Sequence, residues 1–316
     1  MGIAKLSKAL HKAGFYLKGS LTANLPDQLF RPFLESRLAR LASYDQEQIL
    51  DRVNYYNKLS DSFSLDESAI RIDQFQKDGS RAYFLDMKEL VRFFPGDLRI
   101  QYLFGDITEV PASPAFLKSR PITDSNQNSI LLKLNKVRHY FTEEDPLGFD
   151  EKLDQIVWRG KAYMPWRKVV VDRYHDHPLC DIGQVDKKAQ GTSTWRPFMS
   201  IRDQLRYKYI LSIEGHDVAT NLKWIMSSNS LCMMKKPRFE TWFMEGRLEP
   251  GVHYVELNED HSDLEDKVNY YNAHPEEAKA IVTKAREHAA QFQDPKQEEL
   301  VSLLVMKKFF ELSGQL

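Results

Sequence analysis

Apolar and polar residues alternate with different periods along the chain. Up to about Leu59 the apolar residues follow a helical spacing, and beyond it short β-like runs are bounded by Gly, Pro, Asp and Asn. This pattern predicts strands at Arg81–Met87, Leu98–Asp106, Ser129–Leu134 and Leu153–Gly160. The first half is therefore expected to hold helices followed by strands.

The second half alternates between strand-like and helix-like runs. A helix is expected to begin at Ser200–Asp203, and another at a capping box formed by Ser262–Glu265. The pattern further predicts strands at Tyr207–Gly215, Ser230–Met234 and His253–Leu257, and helices at Asp217–Ser228, at Pro275 to about Phe292, and at Pro295–Leu312. Strand, helix and strand in this order imply a right-handed parallel crossover, which is typical of an α/β fold.

Length and composition narrow the class of protein. A chain of 316 residues is long enough for two domains, and a cleft between two lobes is where a site is expected. A formal net charge of −1 gives no reason to expect a nucleic-acid binder. The two cysteines, Cys180 and Cys232, indicate free thiols in a reducing compartment.

The first forty residues combine apolar residues with lysines. Leu6, Leu10 and Phe15 interleave with basic residues such as Lys12 and Lys18. Such a helix suits peripheral contact with an anionic membrane, or it packs on its domain with the lysines in water. No window predicts a membrane-spanning helix, and the N-terminus lacks the apolar core of a signal peptide.

The turn at Gly215 is the first candidate for ligand binding. A strand that ends at Gly215 and feeds a helix near Asp217 directs backbone N–H groups at the carboxyl edge of the sheet, where they suit a phosphate. The alternative is an ordinary α/β turn, because the chain has neither G-x-G-x-x-G nor G-x-x-x-x-G-K-[ST] here.

Two arginines strengthen the case for a phosphate ligand. Arg159 follows a predicted strand, and Arg167 comes eight residues later. A guanidinium group is always charged and forks onto phosphate oxygens, so this pair suits a diphosphate without a metal ion. The alternative places both arginines on the surface, with Trp158 and Trp166 in the core.

A metal site is the competing possibility. The sequence has no D-x-D pair, but His175, Asp176, His177 and Cys180 form a short run of potential ligands. Neighbouring histidines converge on one ion only in an extended segment. The run therefore leaves metal-dependent hydrolysis as one hypothesis.

Asp106 is the candidate general base. A carboxylate at the end of a predicted strand projects towards the crevice above the sheet, where it can take a proton from a substrate hydroxyl. The alternative is an Asp that caps the turn before Thr108. The sequence pattern does not separate the two.

Several linked motifs resemble the bacterial branch of glycosyltransferase family 90. That family includes lipopolysaccharide-modifying enzymes, capsule-associated xylosyltransferases and Rumi-type protein O-glucosyltransferases. The resemblance is dense from about Asp97 to His288, and its motifs are VWRGKAYMPWR, RYKYILSIEGHDVATNLKWIMSSNSLCMM, PRFETWFMEGRLEPGVHYVEL, DLEDKVNYYNAHPEEAKAIVTKAREHA and, upstream, SILLKLNKVRHY.

The resemblance implies a GT-B-like α/β fold, in which two Rossmann-type lobes flank a cleft. We expect an acceptor-side lobe at 1–155, a UDP-sugar-binding lobe at 156–292 and a C-terminal helix at 293–316 that packs on the first lobe. The implied reaction is inverting transfer of a hexose or pentose from a UDP-sugar to a lipopolysaccharide core or related surface glycan. No metal or other cofactor is expected, nor any nucleic acid, and the expected place is the cytoplasm at the inner face of the inner membrane.

The resemblance also assigns roles to single residues. Asp106 falls at the position of the base, Arg159-Gly160 matches the Arg-Gly turn, and Arg167 matches the arginine that contacts the donor diphosphate. The residues of the donor loop are Gly215, His216, Asp217, Val218, Ala219, Thr220 and Asn221.

Two further positions belong to the donor region. Rumi-type enzymes have arginine where this chain has Asn221, so the second diphosphate contact falls to Lys223 or Arg159. Glu240 matches an acidic position suited to the donor ribose. A non-catalytic nucleotide- or glycan-binding protein with the same fold is the alternative function, and the sequence does not name the sugar or the acceptor.

Overall fold

The computed structural model describes the backbone of residues 3–316 and the side chains of residues 9–316. The chain divides into two compact units. The sheet unit consists mainly of His139–Pro237 and Gly246–Gln291, and the helical unit consists of Ala9–Arg138, Arg238–Glu245 and Phe292–Leu316. The C-terminal residues therefore belong to the same unit as residues 9–138.

The elements are numbered in chain order. The α-helices are α1 (Ile3–Ala23), α2 (Leu34–Leu38), α3 (Gln46–Tyr56), α4 (Arg81–Val91), α5 (Lys136–His139), α6 (Pro165–Tyr174), α7 (Ile201–Gln204), α8 (Leu222–Met226), α9 (Leu264–Ala273), α10 (Pro275–Ala290) and α11 (Pro295–Leu312). The strands are β1 (Ile70–Arg71), β2 (Arg99–Ile100), β3 (Ala115–Leu117), β4 (Ser119–Pro121), β5 (Ser129–Leu131), β6 (Leu153–Gly160), β7 (Cys180–Gln184), β8 (Tyr207–Ser212), β9 (Leu231–Met234), β10 (Phe239–Thr241) and β11 (Val255–Glu256). Short 3₁₀ turns lie at Asp27–Leu29, Arg31–Phe33, Ala39–Ser43, Ile72–Gln74, Phe149–Glu151, Lys187–Ala189 and Glu245–Arg247.

A five-stranded parallel sheet forms the centre of the sheet unit. Its strand order is β11-β9-β8-β6-β7, and every neighbouring pair is parallel. The middle residues of β6 and β8 are buried, as expected for strands covered on both faces. Side chains from α6, α9 and α10 join those of the strands in one hydrophobic cluster, which includes Ile156, Val170, Leu211 and Ile281.

The helical unit has shorter strands. β3 and β5 pair in parallel, and Tyr102 forms a further parallel bridge to Phe116 in β3. β4 pairs antiparallel with β10, and β1 pairs antiparallel with β2. The chain is thus a mixed α/β protein with parallel sheets and C-terminal helices.

Glu298, in the first turn of α11, anchors a buried polar cluster in the helical unit. Its carboxylate lies 2.6 Å from Arg52 Nη2 and 2.7 Å from Lys133 Nζ, and it accepts a 2.6 Å hydrogen bond from Trp242 Nε1. A buried carboxylate is stable only with such partners, because desolvation penalises an isolated charge. The cluster joins the C-terminal helix to three other segments of the unit.

Many predicted elements are confirmed. β6 and α11 have the predicted limits, and α7 begins at a capping box between Ser200 and Asp203. α10 ends two residues before Phe292. The predicted strands at Tyr207–Gly215, Ser230–Met234, His253–Leu257 and Ser129–Leu134 are present in shortened form. Cys180 and Cys232 are free thiols, as predicted.

Two predicted strands of the first half need correction. Arg81–Met87 is not a strand but lies in helix α4, because the buried Tyr83, Met87 and Leu90 recur at helical spacing. Leu98–Asp106 is a strand only at Arg99–Ile100, with one further bridge at Tyr102.

Two predicted helix starts are also wrong. The helix expected from Asp217 begins only at Leu222, since the residues before it form a turn. The capping box at Ser262 is absent: α9 begins at Leu264, its N-cap residue is Asp263, and no side-chain cap hydrogen bond forms there.

The part of the chain that the structure describes contains no helix with both the length and the apolar character needed to cross a membrane.

Candidate active site

The strand order of the sheet unit places a topological switch point at its carboxyl edge. From β6 the chain continues to β7 on one side of it, and then crosses to β8 on the other side. The direction in which strands are added to the sheet therefore reverses between the neighbouring strands β6 and β8. In open α/β sheets, ligands bind outside the carboxyl ends of the strands at such a switch point. The loops that leave this point are residues 161–164 after β6 and 213–221 after β8.

Arg167 joins these two loops. It lies in the first turn of α6, its Nε donates to the Glu214 carbonyl at 3.0 Å, and its Nη2 donates to the Ile213 carbonyl at 2.6 Å. Its Nη1 donates to the Lys161 carbonyl at 3.3 Å, and the guanidinium lies 5.7 Å from the centre of the Trp158 ring. A permanent positive charge is therefore held at the switch point, as a diphosphate site requires.

Trp166 supports the same arrangement. Its indole N–H donates to the Glu214 carbonyl at 2.9 Å, next to the contact from Arg167. The sequence analysis considers Trp166 only as a core residue. Its position next to Arg167 was the available signal that it contacts the same loop. Both side chains thus fix the main chain that leads into Gly215.

The donor loop lies directly beside Arg167. A Cβ atom built on Gly215 would stand 3.5 Å from Arg167 Nη2, so the turn passes close to the guanidinium group. The Gly215 N–H bonds to the Asp217 carbonyl at 3.1 Å. The structure therefore brings the predicted arginine and the predicted glycine turn together.

The remaining residues of the loop differ in exposure. His216 is exposed and its ring centre lies 6.1 Å from that of Tyr163, whereas Thr220 is half-buried. Asn221 donates from Nδ2 to the Leu211 carbonyl at 3.0 Å and accepts from Ser212 Oγ at 3.2 Å, so its side chain closes the end of β8. The buried residues of this segment are Asp217, Val218, Ala219, Leu222 and Lys223.

Arg159 does not join the group around Arg167. Its Nη2 lies 2.5 Å from Asp181 Oδ1, its Nη1 donates to the carbonyls of Asp181 and Trp158, and its Nε donates to the Pro197 carbonyl. These contacts tie β6 to β7. A direct contact between Arg159 and the donor stays a prediction.

Asp181 also accepts a hydrogen bond from a tyrosine. The Tyr207 hydroxyl donates to Asp181 Oδ2 at 2.6 Å. Burial raises the pKa of Tyr207 to about 12, and the bond to Asp181 adds to this rise. The phenol therefore stays protonated at neutral pH and holds the second oxygen of the carboxylate that binds Arg159.

Gly160 has a packing reason as well as a predicted functional one. A Cβ atom at this position would stand 2.5 Å from Cζ2 of Trp158, which is buried. Only glycine accommodates the indole here, because real Cβ contacts do not approach so closely. Gly160 of the Arg-Gly turn therefore leaves space for the Trp158 ring in the core of the sheet unit.

Asp106 lies in the helical unit, just after Gly105, whose φ of +129° favours glycine. Its Oδ1 accepts from Lys118 Nζ at 2.6 Å. Lys118 is 2% exposed at its side chain and Asp106 is 33% exposed, so a buried ammonium meets an accessible carboxylate. The contact fixes one oxygen of Asp106 and leaves the carboxylate open to a hydroxyl that arrives from solvent, as a general base needs.

Lys118 was not predicted from the sequence. It directly follows β3, while Asp106 follows the segment that pairs with β3 through Tyr102. Because parallel strands share a carboxyl edge, both residues leave the ladder on the same side. The apolar run Ala115–Leu117 before Lys118 was the available signal.

Glu240 is in the helical unit and is buried. Its Oε1 accepts from Arg120 Nε at 2.7 Å, and its Oε2 accepts from the Tyr55 hydroxyl. Burial and the neighbouring Glu240 raise the pKa of Tyr55, while burial and Arg120 lower the pKa of Lys58. The predicted contact of Glu240 with a ribose stays a prediction, and the observed contacts give this residue a structural role.

The side chains in the run from His175 to Cys180 contact several separate partners. His175 Nε2 lies 2.9 Å from Asp176, and His177 Nε2 lies 3.2 Å from Glu265. Burial raises the pKa of the Cys180 thiol to about 12, which disfavours the thiolate that binds metals. Among the side chains of residues 9–316, no group of three or more from His, Cys, Asp and Glu is arranged to hold an ion.

Comparison with known proteins decides the family. The model of Glycosyl transferase family 90 matches residues 131–298, which is more than half of the chain. The chain belongs to glycosyltransferase family 90. It is therefore a glycosyltransferase, as the motifs predicted. The matched range includes Arg159, Arg167, Glu240 and the donor loop, whereas Asp106 lies before it.

The family 90 relatives include bacterial and animal proteins. O-glucosyltransferase LpsA of Dichelobacter nodosus is 45% identical over 311 residues, which cover 98% of each chain. Protein O-glucosyltransferase 3 of Homo sapiens is 27% identical over 169 residues, which cover 51% of this chain and 32% of that protein. Protein O-glucosyltransferase 2 of Danio rerio is 30% identical over 91 residues, covering 29% and 18%.

Proposed function

We propose that this family 90 glycosyltransferase transfers a glucosyl group from UDP-glucose to a hydroxyl of a lipopolysaccharide core or a related surface glycan. The observation that carries the proposal is the 45% identity to O-glucosyltransferase LpsA over 98% of both chains. The proposal includes inversion at the anomeric carbon and no requirement for a metal ion. It also includes a GT-B-like arrangement, in which the sheet unit takes the donor and the helical unit takes the acceptor.

In the proposed reaction, Asp106 takes the proton of an acceptor hydroxyl. The hydroxyl oxygen forms a bond to the anomeric carbon on the face opposite the diphosphate. The bond from that carbon to the diphosphate oxygen breaks, and UDP leaves with the bonding electron pair. Attack opposite the leaving group accounts for inversion.

The contacts of Arg167 support its role at the leaving group. The guanidinium is fixed at the switch point of the parallel sheet, beside the Gly215 turn. Charge that develops on the diphosphate in the transition state is stabilised by a cation that is already in place. α8 has only five residues, so Arg167 contributes more charge here than a helix dipole.

The contact between Asp106 and Lys118 supports the base. A general base must be ionised and accessible, and this carboxylate is both accessible and paired with a cation. After transfer, the protonated Asp106 can pass its proton to water, because the carboxyl group reaches solvent.

The test is release of UDP from UDP-glucose, UDP-galactose and UDP-xylose, each with and without a lipopolysaccharide core oligosaccharide. We expect acceptor-dependent release that is greatest with UDP-glucose and unchanged by EDTA. Donor binding without turnover at high enzyme concentration would instead identify a non-catalytic binding protein. Loss of turnover with EDTA would contradict metal-independent transfer and direct attention to the His175 cluster.

A further inference from the structure

Helix α1 exposes three leucines to solvent. Leu10, Leu17 and Leu21 are 63%, 65% and 65% exposed. They are spaced by seven and four residues, so they lie on one face of the helix. We call these three leucines the leucine face. A surface helix ordinarily turns such a stripe towards the core, so this orientation requires an explanation.

The opposite side of α1 is fixed on the helical unit. A Cβ atom built on Gly19 would stand 2.8 Å from Leu85 Cδ1, which shows how closely α1 approaches α4. The buried Arg92 donates to the carbonyls of Thr22 and Leu25 at 2.8 and 3.0 Å, and it thereby caps the C-terminal end of α1. These contacts hold the leucine face outward.

The chain segment that carries the leucine face is basic, although Lys18 also interacts with Glu89 of α4. Asp27 is the first acidic residue of the chain, and four lysines precede it, at positions 5, 8, 12 and 18. A groove of about 380 Å³ runs beside Leu17 and Leu21 and has the exposed Arg81 on its rim. Arg81 donates to Ser20 and lies 5.6 Å from the Tyr16 ring, which places its guanidinium next to the apolar side chains.

We propose that the leucine face docks on an anionic lipid bilayer, with Lys18 and Arg81 contacting the headgroup phosphates. Two contributions bind an interfacial helix to a membrane. One is burial of apolar side chains at the boundary between headgroups and acyl chains, and the other is attraction of basic side chains to anionic lipids. A second copy of the chain is a less favourable occupant, because it carries the same positive segment. The exposed apolar side chains of Leu25, Leu29 and Phe33 follow α1 and increase the apolar area near its end.

This inference does not depend on the identity of the sugar or the acceptor. Its test is sedimentation of the full chain with vesicles of phosphatidylcholine alone or with about 30% phosphatidylglycerol, which gives the surface its negative charge. We expect sedimentation with the anionic vesicles, much weaker sedimentation with the neutral ones, and release from the anionic vesicles by high salt. Equal sedimentation with both vesicle types, or with neither, would overturn the proposal.

Three variants identify the surface. Replacing all three leucines of the leucine face by serine is expected to weaken binding about tenfold or more, and Lys18→Glu with Arg81→Glu to weaken it about tenfold. Leu50→Ser, at an exposed leucine on α3, is the matched control and should bind as the wild type does. Thermal melts of all variants check folding, and the replaced side chains are exposed, so melting temperatures should be unchanged.

Two results with these variants would contradict the proposal. One is wild-type binding by the triple leucine variant. The other is a protein dimer, seen by sedimentation velocity, that Leu17→Ser dissociates in the absence of any binding to vesicles. The second result would assign the leucine face to a second copy of the chain.

Discussion

Lys118 Nζ lies 2.6 Å from Asp106 Oδ1, and the two side chains differ sharply in exposure. The ammonium is buried, whereas the carboxylate is accessible. A cation in this position fixes one oxygen of the carboxylate without covering the group. The pair is therefore suited to a base that acts on a hydroxyl arriving from solvent.

Lys118→Met tests this contact. The variant removes the ammonium that holds Asp106 Oδ1 while keeping most of the buried side-chain volume, so Asp106 loses its fixed position and we expect the transfer rate to fall roughly tenfold across the pH range. The measurement is transfer rate against pH. Lys307→Met removes an exposed ammonium that pairs with Glu311 and should leave the profile unchanged. A wild-type profile in Lys118→Met would show that the contact does not influence the base.

Arg167→Ala tests the donor site. Loss of a guanidinium that contacts a diphosphate removes charge-assisted hydrogen bonds, so UDP affinity should fall about 10- to 100-fold. Arg167→Lys keeps the positive charge but loses the planar guanidinium group. Its affinity for UDP should lie between those of the wild type and of Arg167→Ala. Arg173→Ala is the control on the same helix, where the arginine bonds to Asp260. Calorimetric titration with UDP measures all three, and unchanged affinity in Arg167→Ala would contradict the assignment.

Gly160→Ala tests the packing role of the Arg-Gly turn. The added methyl group would collide with the Trp158 indole, so we expect a loss of about 1–3 kcal/mol in the free energy of unfolding. Gly14→Ala, in exposed helix α1, meets no atom within 4 Å and should be neutral or stabilising. Urea unfolding compares the two variants. Equal stability of Gly160→Ala and wild type would show that the indole can move aside.

The sequence predicted those parts of the site that consist of a strand and the loop directly after it. Arg167 and the Gly215 turn were predicted to share a ligand, and they meet because parallel strands place their following loops at one edge. The partners of Asp106 and Glu240 were not predictable, because Lys118 and Arg120 reach them through strand pairing and not through a local sequence pattern.

Local pattern also failed in two instructive places. Arg81–Met87 resembles a strand in composition, but its burial repeats at helical spacing over the longer α4. The apolar stripe of α1 was visible in the sequence, but the pattern does not say whether a stripe faces the protein or the solvent. The contact of Gly19 with Leu85 decides that orientation.

Asp86 supplies a prediction for the pH dependence of stability. Burial raises the pKa of Asp86 to about 6, against a smaller opposing effect of Lys136. A raised pKa in the folded state means that the contribution of Asp86 to stability is fully present below about pH 4 and is lost as the pH rises through about 6. The loss amounts to roughly 3 kcal/mol at most, because a pKa difference of one between the folded and unfolded states corresponds to about 1.4 kcal/mol.

Asp86→Asn checks this effect, because asparagine keeps the shape and cannot ionise. Relative to the variant, the wild type should lose stability between pH 4 and pH 7, as measured by urea unfolding across that range. Parallel curves for the two proteins would show that Asp86 does not titrate in the folded state as described. Asp86 lies in the middle of α4 and is not one of the proposed site residues. The test therefore measures stability alone and needs no assay of transfer.

The most direct test of the account is Asp106→Asn, with transfer rate and UDP affinity measured on the same preparation. Asparagine preserves the shape of the side chain but cannot accept the proton, so the transfer rate should fall by about 10²- to 10⁴-fold while UDP affinity changes less than about twofold. Transfer at the wild-type rate by the Asp106→Asn enzyme would contradict the assignment of Asp106 as the base.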